Sequence, residues 1–342
     1  MLSRLKFDIA DLIEDILNDI PVERFESDTS TFCDVAIGGG QMIAAVEKRL
    51  RAYGHSDENI ASRVFGFSDK RMEINFARHK YKLIAKLTKA SREEANSMDF
   101  DVRLTNPPYQ DNTKGDSKRW PLWHKFLEEA LESNARDVAF IVPASLCSPG
   151  KLWERVKPFV KSLNLDAKSH FKGIGSTFCY VVLDPKGSES MEITSQGKKY
   201  TLPTDVPFVP PVVNEATMEM MQTLLSRSPR KWQMPTRYHH SKDYVTKDEG
   251  KFKVYHTNAQ TLWTNVDHES RTDIKVAVTL SGNPIFTVLD DSFTSEIVPF
   301  TTFDSVEEAH SFAEECNGEF VQTLLATFKW SGWNSRKVIE ML

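Results

Sequence analysis

The residues of this chain with the clearest chemical potential form the run Asn106-Pro107-Pro108-Tyr109. It directly follows the apolar segment 100–105, whose pattern predicts a strand. Two consecutive prolines fix φ and have no backbone N–H, so the carbonyls beside them are held rigidly outward. Asn106 adds a side-chain acceptor and Tyr109 adds an aromatic face. Such a set suits a planar group with an –NH₂, whose hydrogens meet two acceptors while its ring lies on the tyrosine.

A second candidate motif is Asp34 followed by Gly38-Gly39-Gly40. An apolar run over 32–37 precedes the glycines and a helical pattern over 42–53 follows them. Strand, glycine turn and helix form the opening unit of a doubly wound sheet, where the backbone can approach a ligand closely. A glycine turn can equally do no more than join a strand to a helix. The chain has neither GxGxxG nor GxxxxGK[ST], so dinucleotide and P-loop sites find no support.

The surrounding pattern predicts an α/β domain that positions these motifs. Helical periodicity covers 9–20, 70–86 and 122–132, and strand patterns cover 63–67, 100–105, 138–142, 165–170 and 179–183. A connection rich in Gly, Ser and Pro follows over 186–211. Beyond it the pattern predicts a helix at 214–226, a hairpin over 275–289 and helices at 306–316 and 319–328. We therefore expect an α/β domain over 1–185 and a mixed α+β domain over 186–342.

Composition narrows the class of protein. The 342 residues are 40% hydrophobic with a net charge of −5, which excludes a disordered chain and does not by itself indicate a nucleic-acid partner. No run reaches the ~18–20 apolar residues of a membrane span, and the N-terminus lacks a signal peptide, so a cytoplasmic location is predicted. The cysteines at 33, 147, 179 and 316 are predicted to be buried thiols. His239-His240 has no further ligand at recognisable spacing, so no metal site is predicted.

The two motifs together resemble the S-adenosylmethionine-dependent amino-methyltransferases. Asp34-x-x-x-Gly38-x-Gly40 before Asn106-Pro107-Pro108-Tyr109 is similar to the gamma arrangement of N6-adenine DNA methyltransferases, and the wider context looks like the Eco57I-type modification methylases of bacteria and phages. The resemblance implies a Rossmann-like methyltransferase sheet over 1–185 and a target-recognition domain over 186–342. It also implies S-adenosylmethionine as cofactor and DNA, expected to be double-stranded, as partner. A monomer is expected.

The resemblance assigns roles at the catalytic motif. Asn106 and the Pro107 carbonyl would bind the target amino group, with Pro108 holding the turn. Tyr109 and Phe171 would sandwich the flipped base.

Cofactor contacts carried over from the family begin at the glycine turn. Asp34, Gly38 and Gly40 would surround the methionine part of S-adenosylmethionine. The family usually has an acid at the end of the second strand for the ribose; here Ser68 occupies that place and Asp69 comes next. The usual acid after the third strand has no clear counterpart between residues 82 and 99.

Local charge provides the candidate DNA contacts. Residues 227–253 contain eight Lys or Arg against three Asp or Glu, a local charge of +5, with tryptophan and tyrosines interleaved. An ordinary solvated surface over core aromatics would give the same pattern. The cations selected as DNA-binding are Arg230, Lys231 and Arg237 here and Lys114, Lys118 and Arg119 in the polar loop 111–119.

The predicted function is site-specific methylation of adenine N6 in DNA, on a base flipped out of the helix, within a restriction-modification system. RNA or protein-glutamine methylation remains open, because both use the same Asn-Pro-Pro-Tyr chemistry. The long C-terminal extension favours nucleic acid. A catalytically decayed protein that binds DNA or blocks restriction is the alternative without catalysis.

Overall fold

The computed structural model of the chain describes residues 9–109, 122–171, 177–235 and 237–342. These residues fall into two compact units. Unit 1 takes the described residues of 1–146 and 151–207, and unit 2 takes 147–150 and those of 208–342.

Unit 1 is built on a nine-stranded sheet with the order β3-β2-β1-β4-β5-β7-β6-β8-β9. Strands β3, β2, β1, β4 and β5 run parallel, β7 is antiparallel to both β5 and β6, and β8 is parallel to β6. The strands are β1 (Phe32–Asp34), β2 (Val64–Ser68), β3 (Lys86–Lys89), β4 (Val102–Thr105), β5 (Asp137–Pro143), β6 (Val160–Asn164), β7 (Phe178–Leu183), β8 (Ser190–Ser195) and β9 (Lys198–Pro203).

Helices flank this sheet and bury one face each. In the first helix Leu12, Ile13, Ile16 and Leu17 are buried, which is the i, i+4 stripe that its sequence predicts. The helices are α1 (Ala10–Asp19), α2 (Glu23–Glu26), α3 (Gln41–Ala52), α4 (Asp57–Arg63), α5 (Arg71–Tyr81), α6 (Arg92–Asn96), α7 (Trp123–Leu131) and α8 (Lys151–Val156), with 3₁₀ turns at Ala144–Cys147, Lys157–Phe159 and Leu165–His170.

The third strand was not expected from the sequence, which predicts a helix over 70–86. Helix α5 ends at Tyr81 because Lys82 adopts a left-handed conformation with φ of 51°. The carboxylate of Glu47, on α3, then accepts the N–H groups of Ile84 and Ala85 at 2.9 and 2.8 Å. These bonds direct the chain into β3.

Two further expectations for unit 1 are corrected. Residues 165–170, expected as a strand, form a 3₁₀ turn, because the Asn164 side chain caps it by accepting the N–H of Asp166 at 2.8 Å. The neighbouring strand of the sheet is β6 instead. Strands β8 and β9 continue the sheet beyond residue 185, so the boundary between compact units lies at 207/208 rather than at 185/186.

Unit 2 is the mixed α+β unit that the sequence predicts, with two small sheets ordered β10-β12-β11-β15 and β14-β13-β16. The expected hairpin over 275–289 is the antiparallel pair β13 and β14. Its elements are α9 (Glu215–Leu225), β10 (Val245–Thr246), β11 (Phe252–Thr257), β12 (Gln260–Thr264), β13 (Lys275–Val278), β14 (Phe286–Leu289), β15 (Phe293–Thr294), β16 (Phe300–Thr302), α10 (Val306–Asn317), α11 (Glu319–Thr327) and α12 (Arg336–Ile339), with a 3₁₀ turn at Glu269–Arg271.

Two further predictions bear on the chain as a whole. All four cysteines are buried, as expected. Within the described ranges, no helix combines the length and the hydropathy needed to span a bilayer.

Candidate active site

Three polar residues from distant parts of the sequence meet at one edge of the sheet in unit 1. Strand β1 lies between β2 and β4, and all three are parallel. Asp34 is the last residue of β1, Ser68 is the last of β2, and Asn106 directly follows β4. The carboxyl edge of parallel strands is where open α/β sheets bind ligands. The two sequence motifs therefore lie side by side at this edge.

The Asn106–Tyr109 motif is held by an internal hydrogen bond. The hydroxyl of Tyr109 donates to Oδ1 of Asn106 at 2.6 Å. Pro107 is buried, whereas Asn106 and Tyr109 are half-buried and Pro108 is exposed. The amide oxygen expected to accept an amino group thus already accepts one hydrogen bond, from the tyrosine hydroxyl, in this conformation. Burial raises the pKa of Tyr109 well above its usual range, so the hydroxyl keeps its proton and remains a donor.

The ring of Tyr109, expected to sandwich the base together with Phe171, lies against another phenylalanine in this conformation. Tyr109 packs on Phe178 with ring centres 4.9 Å apart, and Phe178 packs on Phe171 at 4.5 Å. Phe171 is only 6% exposed and belongs to the core cluster of unit 1. In this conformation Phe178, which the sequence analysis did not select, is the ring beside Tyr109. Residues 172–176 of the segment that carries Phe171 lie outside the described residues.

Asp34 is a buried acid, with 2% of its surface exposed. Its Oδ1 accepts the N–H of Ala36 at 2.9 Å, a turn that ends β1 at Asp34 although the apolar run continues to residue 37. Burial raises the pKa of Asp34 to about 7, against the lowering effect of hydrogen bonds from Ala36 and Thr105. A cation bound beside Asp34 would favour its ionised form.

Two glycines of the turn adopt conformations that L side chains rarely take. Gly38 has φ of 47° and Gly40, which caps α3, has φ of 83°. A Cβ on Gly40 would lie 2.6 Å from the Cβ of Ala77 on α5, whereas one on Gly38 would meet nothing closer than 3.7 Å. Gly40 is therefore required for helix packing, and Gly38 leaves space above the turn.

At the end of β2 the structure adds an acid that the sequence analysis missed. Ser68 is buried and its hydroxyl donates to Oε2 of Glu73 at 2.8 Å, while Lys70 binds Oε1 at 3.1 Å. Asp69, the alternative expected there, is exposed. The first turn of α5 thus returns a carboxylate to Ser68. The signal available in the sequence was Glu73 itself, an acid in the first turn of the helix and five residues after the end of the strand.

The expected DNA contacts divide into three groups. Lys114, Lys118 and Arg119 lie outside the described residues. Lys231 and Arg237 are exposed. Arg230 is exposed as well, but its guanidinium carbon lies over the rings of two phenylalanines of unit 2, at 4.8 and 4.7 Å from their centres.

The aromatic residues interleaved with these cations are partly structural. Trp232 is 7% exposed and Tyr238 is 2% exposed. Tyr238 stacks on Phe293 with ring centres 4.1 Å apart. Base contacts by these two side chains, which the mixed pattern suggested, are excluded in this conformation because both rings fill the core of unit 2.

A second cationic surface, not selected from the sequence, lies on unit 1. Residues 70–89, which form α5 and β3, contain seven Lys or Arg against one acid, Glu73. Beside them Met72 and Phe76 expose 79% and 53% of their surface. We call this surface the α5 face; its exposed cations are Lys70, Arg71, Arg78, Lys80, Lys82, Lys86 and Lys89. Its charge is opposite to that of the chain as a whole.

Comparison with known families gives one match. Residues 41–174 match the family model of the Eco57I restriction-modification methylase. The matched range contains the Asn106–Tyr109 motif and Phe171, and it begins directly after the glycine turn. No curated protein sequence matches the chain.

Solved structures extend the likeness in fold. The ATP-dependent Type ISP restriction-modification enzyme LlaBIII, bound to DNA, is 7% identical with a TM-score of 0.54, covering 86% of this chain and 33% of that one. The DrdV–DNA complex is 9% identical with a TM-score of 0.52, covering 86% and 48%. This chain thus spans a third to about half of these two structures. Residues 41–174 are thus similar to the Eco57I restriction-modification methylase family, and the chain has an α/β fold like that of these restriction-modification enzymes.

Proposed function

We propose that the chain methylates the N6 amino group of adenine in DNA. The observation that carries the proposal is the position of Asn106 and Tyr109 directly after β4, beside Asp34 at the end of β1. Amide and carbonyl acceptors next to an aromatic ring suit an exocyclic amine on a planar base. Unit 2 would then recognise the target sequence.

Methylases of this family take their methyl group from S-adenosylmethionine. The residues at the edge fit this cofactor in charge and in space. Asp34 is a buried acid that a cation would stabilise, and the cofactor carries an ammonium and a sulfonium. At Gly38 the nearest atom to an added Cβ would be the carbonyl oxygen of Ala36, at 3.7 Å, so the turn is not crowded there. Ser68 with Glu73 offers a hydroxyl and a carboxylate for the ribose, in place of the acid usual in the family.

The proposed chemistry depends on two acceptors of this chain. The cofactor, when bound, supplies a methyl group on an activated sulfonium. Oδ1 of Asn106 and the carbonyl of Pro107 accept the two amino hydrogens and favour a pyramidal nitrogen whose lone pair can attack. Tyr109 stacks on the base and holds it in line. Positioning and electrostatic stabilisation therefore supply the catalysis.

Reaching this edge requires the base to leave the duplex. Unpairing costs a few kcal/mol, and stacking on an aromatic side chain returns ~1–3 kcal/mol per base. Exposed cations supply phosphate contacts, and the candidates are Lys231 and Arg237 on unit 2 and the α5 face on unit 1. LlaBIII and DrdV were both solved with DNA, which supports DNA as the partner of this chain.

The test is transfer of labelled methyl groups to unmethylated DNA, to RNA and to protein extract, with mass spectrometry of the products. We expect N6-methyladenine in DNA with the wild-type chain and none with Asn106→Ala. The matched control is Asn134→Ala, which removes an exposed asparagine bonded to Asp99. Label in RNA or in glutamine would refute the substrate. No label in any extract, with the chain folded, would favour a protein that binds DNA without methylating it.

A further inference from the structure

Unit 2 assembles a cluster of metal-ligating side chains. One ligand atom each from His239, His240 and Glu296 lie within 4.8 Å of one another. Glu296 stands 56 residues after His240, so sequence spacing gives no sign of this cluster. His239 and His240 stack with ring centres 4.5 Å apart. The cluster lies outside the candidate active site of unit 1.

Strand pairing brings the third ligand to the histidines. Glu296 follows β15, which is parallel to β11, and the N–H of Ser295 donates to the carbonyl of Tyr255 at 3.0 Å. Oε2 of Glu296 accepts the backbone N–H of His240 at 3.2 Å, and its Oε1 contacts Nδ1 of the same residue. Both carboxylate oxygens of Glu296 are thus held against His240.

A fourth candidate ligand comes from β11. The ring centre of His256 lies 6.1 Å from that of His240. Nδ1 of His256 is 2.7 Å from Oγ of Ser295, and a hydroxyl that accepts the Nδ1 proton leaves the Nε2 lone pair for a metal. Nδ1 of His239 instead accepts the backbone N–H of Ser241 at 3.1 Å, so this bond must break if Nδ1 binds the metal.

We propose that His239, His240 and Glu296 bind a divalent transition metal of the Zn²⁺ type, with His256 as the fourth ligand. Imidazole nitrogen and carboxylate oxygen are ligands that Zn²⁺ takes at about 2.0–2.2 Å in tetrahedral sites. Ligand atoms on one such ion are about 3.5 Å apart, so side-chain rotation closes the 4.8 Å spread.

Metals bind neutral imidazole, so binding of the ion would release any proton on the nitrogen that it takes. The ion would tie the turn that carries Arg237 and His240 to β11 and β15. It would therefore order part of the segment with the strongest positive charge in unit 2.

The test measures Zn²⁺ binding to the full chain, purified without a histidine tag and stripped of metal. Equilibrium dialysis with metal analysis should give one Zn²⁺ per chain, and Co²⁺ should give the visible absorption of a tetrahedral site. His240→Ala and Glu296→Gln should each weaken Zn²⁺ binding at least tenfold. His310→Ala, which removes an exposed histidine of α10, is the matched control and should bind as the wild type does.

A second set of measurements distinguishes loss of Zn²⁺ binding from loss of the fold. Glu296→Gln keeps an oxygen for the His240 N–H, so circular dichroism should confirm an unchanged fold. Zn²⁺ should raise the thermal midpoint of the wild type and of His310→Ala but not that of Glu296→Gln. Equal Zn²⁺ binding by wild type and the His239→Ala, His240→Ala double variant would overturn the site. Unchanged affinity in His256→Ala would remove the fourth ligand from the proposal.

Discussion

Replacing Tyr109 with phenylalanine tests how the proposed acceptor is presented to the base. The tyrosine hydroxyl donates to Oδ1 of Asn106 at 2.6 Å. An amide oxygen can accept two hydrogen bonds, so the hydroxyl competes with the adenine amine where both approach the same lone pair, and there the hydroxyl must first release it. The variant keeps the ring for stacking and removes the competing donor. We therefore expect Tyr109→Phe to bind its DNA substrate more tightly than the wild type does.

The expected gain in DNA affinity equals the free energy of the hydrogen bond that the wild type must break and the variant lacks. A net hydrogen bond contributes about 0.5–1.5 kcal/mol, and about 1.4 kcal/mol corresponds to tenfold in affinity. The Kd for unmethylated DNA should thus fall about two- to tenfold. Tyr109→Ala, which loses the ring as well, should instead bind more weakly by ~1–3 kcal/mol.

Fluorescence anisotropy with labelled DNA, at one fixed salt concentration, measures both variants against the wild type. Tyr180→Phe is the matched control, because it removes a tyrosine hydroxyl bonded to Asp19 Oδ2 at 3.0 Å, at a position outside the motif. It should lower stability and leave DNA affinity unchanged. If Tyr109→Phe binds DNA equally or more weakly while remaining folded, the hydroxyl does not compete with the base.

Three further predictions concern side chains that stabilise unit 1 around the carboxyl edge of its sheet. Gly40→Ala should lower the free energy of unfolding by about 1–3 kcal/mol more than Gly54→Ala does. Both glycines have positive φ, but only a Cβ on Gly40 would meet another Cβ, at 2.6 Å; equal losses of stability in urea titrations would contradict the packing argument. Burial raises the pKa of Asp34 to about 7, so its contribution to stability is full below about pH 4 and is lost as pH rises through about 7. Urea titrations should show wild-type stability falling over that range relative to Asp34→Asn, and parallel profiles would refute this. Glu47→Ala leaves two backbone amides before β3 without their acceptor and should lower the free energy of unfolding by about 2–4 kcal/mol. Glu14→Ala, which breaks partly exposed ion pairs with Lys48 and Arg49, should lower it by at most about 1 kcal/mol; similar losses in thermal unfolding would count against the role of Glu47.

The elements predicted correctly are those whose evidence is local. The stripe in α1 repeats within a few residues, and the hairpin of β13 and β14 is marked by its own turn. Strand β3 was missed because a bond from Glu47, on another helix, directs the chain there. Strands β8 and β9 were assigned to a connection because β8 joins the sheet through β6, which lies elsewhere in the sequence, and β9 pairs with β8 alone.

The sequence by itself determined which chemical groups the sheet edge carries, because the types and order of Asp34, Gly38 and Asn106-Pro107-Pro108-Tyr109 can be read directly from it. It also determined the α/β alternation that places two of those motifs after strands. Only the tertiary structure decided which side chains meet: Phe178 beside Tyr109, Glu73 on Ser68, and Glu296 on His240. The reason is physical. Local patterns report the dihedral preferences and burial of a single element, whereas contacts between elements depend on how whole strands pair and pack.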